Sequence, residues 1–140
     1  MAGLPEYAVF QRADDSYWQS VSGGVEEGED LETAARREIA EETGLTAGGP
    51  LVKLDMVSGV EKSCFAAAKF WPENVYIVPK HFFAMDITRE GAEIALSQEH
   101  RDVRWLRYEA AYESLRYDDD KTALWELDQR IRRADLPKAP

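Results

Sequence analysis

The sequence predicts an α+β fold, with strands in the N-terminal part and the middle of the chain and helices at the C-terminal end. The segment 7–11 alternates between apolar and polar positions in the manner of a strand. The segment 30–43 contains neither Pro nor Gly, which favours a helix. Near the end of the chain, Leu124, Leu127 and Ile131 recur at helical spacing. Strands followed by helices with one apolar face indicate a layered α+β domain.

The elements near the N-terminus are the clearest. Two strands, joined by a short hairpin turn of polar residues, are predicted at 6–12 and 17–22. The best-defined helix spans 30–43, because Asp30 suits an N-cap and Gly44 lies where a left-handed C-cap is expected. The chain should therefore open with a β-hairpin that leads into a well-capped helix.

The rest of the chain carries three further strands and two helices. The strands are predicted at 51–60, 81–88 and 103–106. The helices are predicted at 109–115 and 121–133, the second with acidic residues at its positive N-terminal end. The aromatic segment 61–79 has no clear periodicity, so it either shapes a pocket or packs into the core.

Charge and composition limit the classes of function. The 140 residues include 27 acidic and 17 basic side chains, a net charge of −10, and 44% are hydrophobic, enough for one domain over 1–140 with a tail at 136–140. Such a negative surface disfavours nonspecific binding to nucleic acid or anionic lipid, so an anionic ligand requires bridging cations. The sequence has no apolar stretch near the roughly 20 residues that span a bilayer and no signal peptide, which predicts a cytoplasmic protein.

The helix at 30–43 carries an unusual set of carboxylates. At about 100° per residue, Glu38, Glu41 and Glu42 fall within the same arc of about 120° as the apolar side chains of this helix. A merely solvated helix would place its charges on the opposite face and would avoid the like charges of Glu38 and Glu42 at i, i+4. These hard oxygen donors predict a site for Mg²⁺, or for Mn²⁺ in its place, and Arg37 can orient Glu41.

A glycine-rich loop precedes this helix. Gly23 and Gly24 permit close approach of the backbone to a ligand, which makes them candidate substrate-binding residues. Loop and helix together read Gly23, five residues, Glu29, seven residues, then Arg37-Glu38-Ile39-Ala40-Glu41-Glu42-Thr43-Gly44-Leu45. This pattern resembles the Nudix box, G-x5-E-x7-R-E-U-x-E-E-x-G-U with U aliphatic, at every defined position.

The resemblance implies a hydrolase of nucleoside diphosphates linked to another group, folded as an α/β/α sandwich around a central mixed β-sheet. It implies that Glu38 and Glu42 are the principal Mg²⁺ ligands and that Glu41 is a further ligand or the base. Arg37 would brace the loop together with Glu29.

A second stretch, Ser97-Gln98-Glu99-His100 followed by Val103-Arg104-Trp105-Leu106, resembles another Nudix element. By this likeness Glu99 completes the metal site or activates water, so either Glu41 or Glu99 is the catalytic base. His100 and His81 are interpreted as structural or hydrogen-bonded histidines and not as ligands, because the site is built from oxygen donors. Arg12, at the end of the first strand, is the candidate contact to a substrate phosphate.

The substrate is a small nucleotide-like molecule in every interpretation of the motif. The stretch from Tyr17 to Glu29 resembles the dihydroneopterin triphosphate and dATP pyrophosphohydrolase branch, which favours a triphosphate. Hydrolysis of dinucleoside polyphosphates or nucleotide sugars, and a regulatory domain that only binds nucleotides, remain alternatives. Family members usually have one more strand ahead of 6–12, so the resemblance implies that this strand is missing or that another segment or subunit, as in a homodimer, fills its place.

Overall fold

The computed structural model describes residues 4–21, 24–25, 28–88 and 94–136. The strands are β1 (Tyr7–Arg12), β2 (Trp18–Gln19), β3 (Leu51–Glu61), β4 (Ile77–Met85) and β5 (His100–Leu106). The α-helices are α1 (Leu31–Thr43), α2 (Tyr108–Ser114) and α3 (Asp118–Arg132), and two 3₁₀ helices span Lys62–Cys64 and Ala66–Phe70. In these ranges, no helix has the length and apolar character needed to cross a membrane.

The described strands form two antiparallel sheets. One has the order β2-β1-β5, and the other consists of β3 and β4. The predicted α+β class is confirmed. The resemblance implies a central mixed sheet, whereas strand pairings over the described ranges are antiparallel, as a direct hairpin connection dictates for β3 and β4. A parallel contact occurs as an isolated bridge between Trp18 and Leu115.

Helix α1 has the two ends that the sequence predicts. Asp30 accepts a hydrogen bond from the Thr33 backbone N–H at 2.7 Å, which satisfies a donor of the first turn. Gly44 has φ 71°, and its N–H bonds to the Ala40 carbonyl. A Cβ at Gly44 would also lie 3.0 Å from Ala95 Cβ, because the segment before β5 packs on this helix end. Glycine is therefore required at position 44 for both backbone conformation and space.

Several predicted boundaries differ from the structure, among them the start of β5 at His100 instead of 103 and the end of β4 at Met85 instead of 88. Strand β2 covers Trp18–Gln19 instead of 17–22, and α3 begins at Asp118 instead of 121, so the acidic residues form its first turn. Strand β4 begins at Ile77 instead of 81, because β3 and β4 form a long hairpin that continues into the aromatic segment. At the end of this hairpin Phe70 and Tyr76 are 80% and 69% exposed, so core packing is wrong for these two side chains.

Helix α3 joins the two sheets through a shared core. Tyr7 and Val9 of β1 pack with Ala111 and Leu115, and α3 covers this cluster with the three residues predicted to face inward, Leu124, Leu127 and Ile131. A second cluster, from both strands of the hairpin and α3, contains Leu54, Phe82 and Ala123, and it also includes Leu127. The position of the β3–β4 hairpin relative to β1 is therefore set by one face of α3.

A carboxylate supports an irregularity in β3. The register between β3 and β4 shifts between Lys53 and Val57. At this shift the backbone N–H groups of Asp55 and Met56 donate to the Glu126 carboxylate at 2.6 and 2.8 Å. Arg130 holds the same carboxylate at 2.8 Å. Glu126 therefore satisfies two donors that the ladder leaves without partners.

We expect Glu126→Gln to lower the free energy of unfolding by about 1–3 kcal/mol, the usual range for hydrogen bonds to charged groups. Burial alone would raise the pKa of Glu126, but the two backbone donors and Arg130 together lower it. A lowered pKa in the folded state stabilises the protein above the unfolded-state pKa, and this stabilisation is lost as the pH falls through the folded-state pKa. Urea unfolding measured at a series of acid pH values should therefore show that the free energy of unfolding falls more steeply with decreasing pH for wild type than for Glu126→Gln.

The control variant is Glu113→Gln, which changes an exposed carboxylate on α2. It should leave the free energy of unfolding and its pH dependence close to wild type. If the two variants lose the same free energy of unfolding, the hydrogen bonds of Glu126 to the irregular part of β3 do not stabilise the fold.

Candidate metal centre

The structure places the four candidate glutamates at one end of α1, but in different surroundings. Glu42, in the last turn of the helix, is only 3% exposed. Glu38 is half-buried and Glu41 is exposed on the same helix. Glu99 lies just before β5 and reaches the site from a loop. The helix therefore contributes one buried carboxylate, and the loop before β5 contributes an exposed one beside it.

Two residues outside the helix contact the Glu42 carboxylate, and a third contacts one of them. The Ser97 hydroxyl donates to Glu42 Oε2 at 2.6 Å. His100 Nδ1 lies 2.8 Å from the same oxygen, and the His100 side chain is fully buried. On the other side of the ring, Gln19 Nε2 lies 3.0 Å from His100 Nε2. The sequence predicts a hydrogen-bonded His100, but it gives no signal for Gln19 or for the specific partner of Ser97.

Glu42 and Glu99 form a pair of neighbouring carboxyl groups. Burial raises the pKa of Glu99, and the negative charge of Glu42 together with a hydrogen bond between the two carboxyls raises it further. His100 and Arg12 counter only part of this effect. Because the charge of Glu42 disfavours the ionisation of Glu99, a cation beside the two carboxyl groups would be stabilised by both.

Arg37 connects the glycine-rich loop with the helix. Its guanidinium binds both carboxylate oxygens of Glu29, at 2.8 and 3.0 Å. It also contacts Glu38 at 2.9 Å and Glu41 at 3.3 Å, and it donates to the Gly24 carbonyl at 2.6 Å. The expected contacts of Arg37 with Glu29 and Glu41 are both present. Gly23, the other predicted loop glycine, lies outside the described residues.

The carboxylates fit a divalent cation by chemistry, but they do not converge on one point. Burial raises the pKa of Glu38, and Arg37 offsets only part of that effect. Across the described ranges, no group of three or more His, Cys, Asp or Glu side chains is close enough to hold a metal ion. The reason is that Arg37 holds Glu38 and Glu41, whereas Ser97 and His100 hold Glu42. Mg²⁺ usually keeps several waters and takes phosphate oxygens, so it needs only one or two carboxylates from a protein.

A cavity of about 180 Å³ adjoins Glu99, lined by Arg12, Ala13, Asp14, Gln19, Gln98 and Glu99. This volume is below the roughly 300 Å³ of the smallest usual ligand pockets, so it suits a phosphate group better than a whole nucleoside. Arg12 lies at the cavity but binds Asp14 at 2.6 Å and Asp15 at 3.3 Å. The hydrogen bond with Asp14 raises the pKa of Arg12, so its guanidinium stays charged.

Comparison with known proteins decides the family. The NUDIX domain family matches residues 6–126 of this chain. The protein belongs to the NUDIX family. This NUDIX protein is 32% identical over 123 residues to the asymmetrical bis(5'-nucleosyl)-tetraphosphatase of Mus musculus, covering 86% of this chain and 77% of the mouse protein. It is also 32% identical over 108 residues to the RNA pyrophosphohydrolase of Sphingopyxis alaskensis, covering 71% of this chain and 66% of that protein.

Solved structures confirm the NUDIX fold. A Listeria monocytogenes protein assigned as a NUDIX hydrolase superposes with a TM-score of 0.82 and 33% identity, covering 96% of this chain and 88% of that one. The dihydroneopterin triphosphate pyrophosphohydrolase of E. coli superposes with a TM-score of 0.72 and 26% identity, covering 89% and 86% of the two chains. The predicted family and enzyme class are confirmed: the protein is a NUDIX hydrolase that acts on acid anhydrides. NUDIX hydrolases generally depend on divalent metals.

Proposed function

We propose that the protein is a Mg²⁺-dependent pyrophosphohydrolase of a nucleoside triphosphate or of a similar molecule such as dihydroneopterin triphosphate. The observation that carries this proposal is the Glu42–Glu99 carboxyl pair beside a cavity of phosphate size that Arg12 lines. The likeness to the E. coli dihydroneopterin triphosphate pyrophosphohydrolase supports this class of substrate. With a net charge of −10, the protein requires cations to bind any polyphosphate.

The metal would be held by Glu42 and Glu38 from the helix and by Glu99 from the loop. Glu41, which is exposed and bound to Arg37, would be an outer ligand. A bound Mg²⁺ or Mn²⁺ supplies positive charge against the diphosphate and lowers the pKa of water. To reach the cation, the Glu38 side chain would have to turn away from Arg37 and toward Glu42. The bound cation would then replace Arg37 as the positive partner of Glu38.

Glu99 is proposed as the base that accepts a proton from the attacking water, because it lies between the cavity and Glu42. Glu41 is the alternative acceptor. Arg12 would exchange its contacts with Asp14 and Asp15 for a phosphate oxygen of the substrate. The backbone at Gly23 and Gly24 would border the polyphosphate, with the Gly24 carbonyl kept in place by Arg37.

A second candidate function is hydrolysis of dinucleoside polyphosphates. The likeness to the mouse tetraphosphatase, over most of both chains, favours it. The likeness to an RNA pyrophosphohydrolase adds the triphosphate end of an RNA as a further substrate class, in contrast to the sequence-based expectation of no nucleic acid. A purely regulatory domain is disfavoured because Glu38, Glu41 and Glu42 are all present.

A panel of substrates tests these alternatives. Nucleoside triphosphates, dihydroneopterin triphosphate, dinucleoside tetraphosphates, nucleotide sugars and a 5'-triphosphorylated RNA are each incubated with Mg²⁺, and pyrophosphate, phosphate and mononucleotide are measured. We expect the highest kcat/KM for a small triphosphate, with release of pyrophosphate. Hydrolysis should stop with EDTA and return with Mg²⁺ or Mn²⁺, because the carboxylates otherwise repel the substrate. Full activity in EDTA would contradict the proposed metal dependence.

We expect Arg37→Lys to lower kcat about tenfold, within the range found when residues that orient metal ligands are changed. A lysine ammonium cannot bind both oxygens of Glu29 while it also contacts Glu38 and the Gly24 carbonyl. Steady-state kinetics at saturating Mg²⁺ measure the effect. Arg36→Lys is the matched control, since Arg36 binds the Ala47 and Gly49 carbonyls away from the carboxylates. Equal kinetics in both variants would leave Arg37 without a role in the site.

A further inference from the structure

We propose that His100 and Ser97 are positioning residues that aim the Glu42 carboxylate at the metal. This inference rests on the proposed function, because it gives Glu42 its role as ligand. Both residues contact the same oxygen, Glu42 Oε2, at 2.8 and 2.6 Å respectively. Two contacts on Oε2 fix the rotation of the carboxylate and direct Oε1 toward a cation.

The orientation of the His100 ring follows from its other nitrogen. Gln19 places its amide nitrogen 3.0 Å from His100 Nε2, and an amide nitrogen can only donate. Nε2 must then accept, so the ring proton is on Nδ1, which faces Glu42 Oε2. The Phe10 ring packs 5.2 Å from the His100 ring, centroid to centroid, and limits its rotation. The imidazole is thus held between two elements, with Nδ1 2.8 Å from the Glu42 carboxylate but not aligned for a hydrogen bond with it.

Ser97 links the two glutamates of the pair. Its hydroxyl donates to Glu42 Oε2, and the same oxygen atom of Ser97 accepts the Glu99 backbone N–H at 3.3 Å. The loop that carries Ser97 is anchored two residues earlier by the Ala95 N–H, which donates to the Thr43 carbonyl at 2.8 Å. Ser97 therefore sets the distance between the helix glutamate and the loop glutamate.

If this cluster had a purely structural role, apolar residues would be expected at these positions. A buried carboxylate is costly to desolvate, and replacing such a group and its partners with apolar residues is often neutral or stabilising. Glu42 is nevertheless 3% exposed and is surrounded by donors from β5 and its preceding loop. Such a network contributes orientation, which a ligand needs and a core residue does not.

Metal binding without any nucleotide tests the proposal. The affinity for Mn²⁺ is measured by electron paramagnetic resonance on wild type, His100→Phe, His100→Asn and Ser97→Ala. We expect His100→Phe to weaken Mn²⁺ binding about tenfold or more, the usual cost of losing a group that orients a ligand. His100→Asn should recover most of the affinity, because the asparagine amide nitrogen takes the place of Nδ1. Ser97→Ala should weaken binding as well, and its half-buried loop position makes it a safe variant for folding.

Tyr7→Phe is the control for general destabilisation. It removes a buried hydrogen bond of 2.8 Å between Tyr7, on the strand that pairs with β5, and Asp128 on α3, and it should lower the free energy of unfolding without changing the Mn²⁺ affinity. The proposal is overturned if folded Ser97→Ala and His100→Phe both bind Mn²⁺ like wild type. It is also overturned if Tyr7→Phe weakens binding as much as they do. If none of the panel substrates is hydrolysed while His100 and Ser97 still control Mn²⁺ affinity, the proposed function fails and the positioning role stands.

Discussion

Glu42→Gln is expected to lower kcat by at least about 100-fold, the upper end of the loss seen when a mere partner of a metal ligand is removed. The substitution keeps the size of the side chain but removes the charge that would hold the cation. It should not unfold the protein, because it also removes the repulsion between Glu42 and Glu99. Kinetics at saturating Mg²⁺ and urea unfolding of the same variant measure the two effects separately.

Glu32→Gln is the matched control for this experiment. Glu32 lies on the same helix, but it is exposed and binds Arg36 at 3.1 Å. Its loss should leave kcat near the wild-type value. If Glu42→Gln instead unfolds the protein in metal-free buffer, the buried carboxylate serves the fold and not the reaction.

The second large effect is expected for Glu99→Gln, at about 10²- to 10⁴-fold in kcat, as for the loss of a general base. The change in KM should be small, because Glu99 acts on water or the cation in the transition state while the cavity keeps Arg12 for phosphate. Rates measured at saturating substrate and Mg²⁺ give the change in kcat. A decrease below about threefold would transfer the role of base to Glu41.

Asp102→Asn provides the comparison for Glu99→Gln. Asp102 lies on β5 only three residues later and is half-buried in an ion pair with Arg104 at 3.6 Å. It should have no more than a small effect on kcat. A comparable loss in both variants would indicate a general dependence on the negative charge of this strand.

The sequence predicts helix α1 well because its signals are local. The N-cap at Asp30 and the left-handed residue at Gly44 lie within a turn of the groups that they satisfy. The Nudix box likewise lies within one continuous stretch: the i, i+4 spacing predicts the contact of Arg37 with Glu41, and the family resemblance implies the one with Glu29. Both features depend on neighbours in the chain.

Features that depend on distant pairing could not be predicted in this way. The sequence does not indicate the start of β4, because Pro79 suggests a loop, whereas in the structure Pro79 pairs with Gly59 within the hairpin. The contact between Gln19 and His100 joins residues 81 positions apart, and no periodicity records it. The same holds for the neighbouring positions of Glu42 and Glu99, which require β5 to pair with β1.

The contact between Ser97 and Glu42 spans 55 positions, and this has a consequence for folding order. The carboxyl pair cannot exist until β5 has paired with β1 and the Ala95 segment has packed on the end of α1. A cation that bridges the pair therefore binds the native chain and not the unfolded one. By mass action, each tenfold rise in free cation above its Kd then adds about 1.4 kcal/mol to the free energy of unfolding. A divalent cation held by this carboxyl pair would therefore stabilise the folded arrangement that binds it.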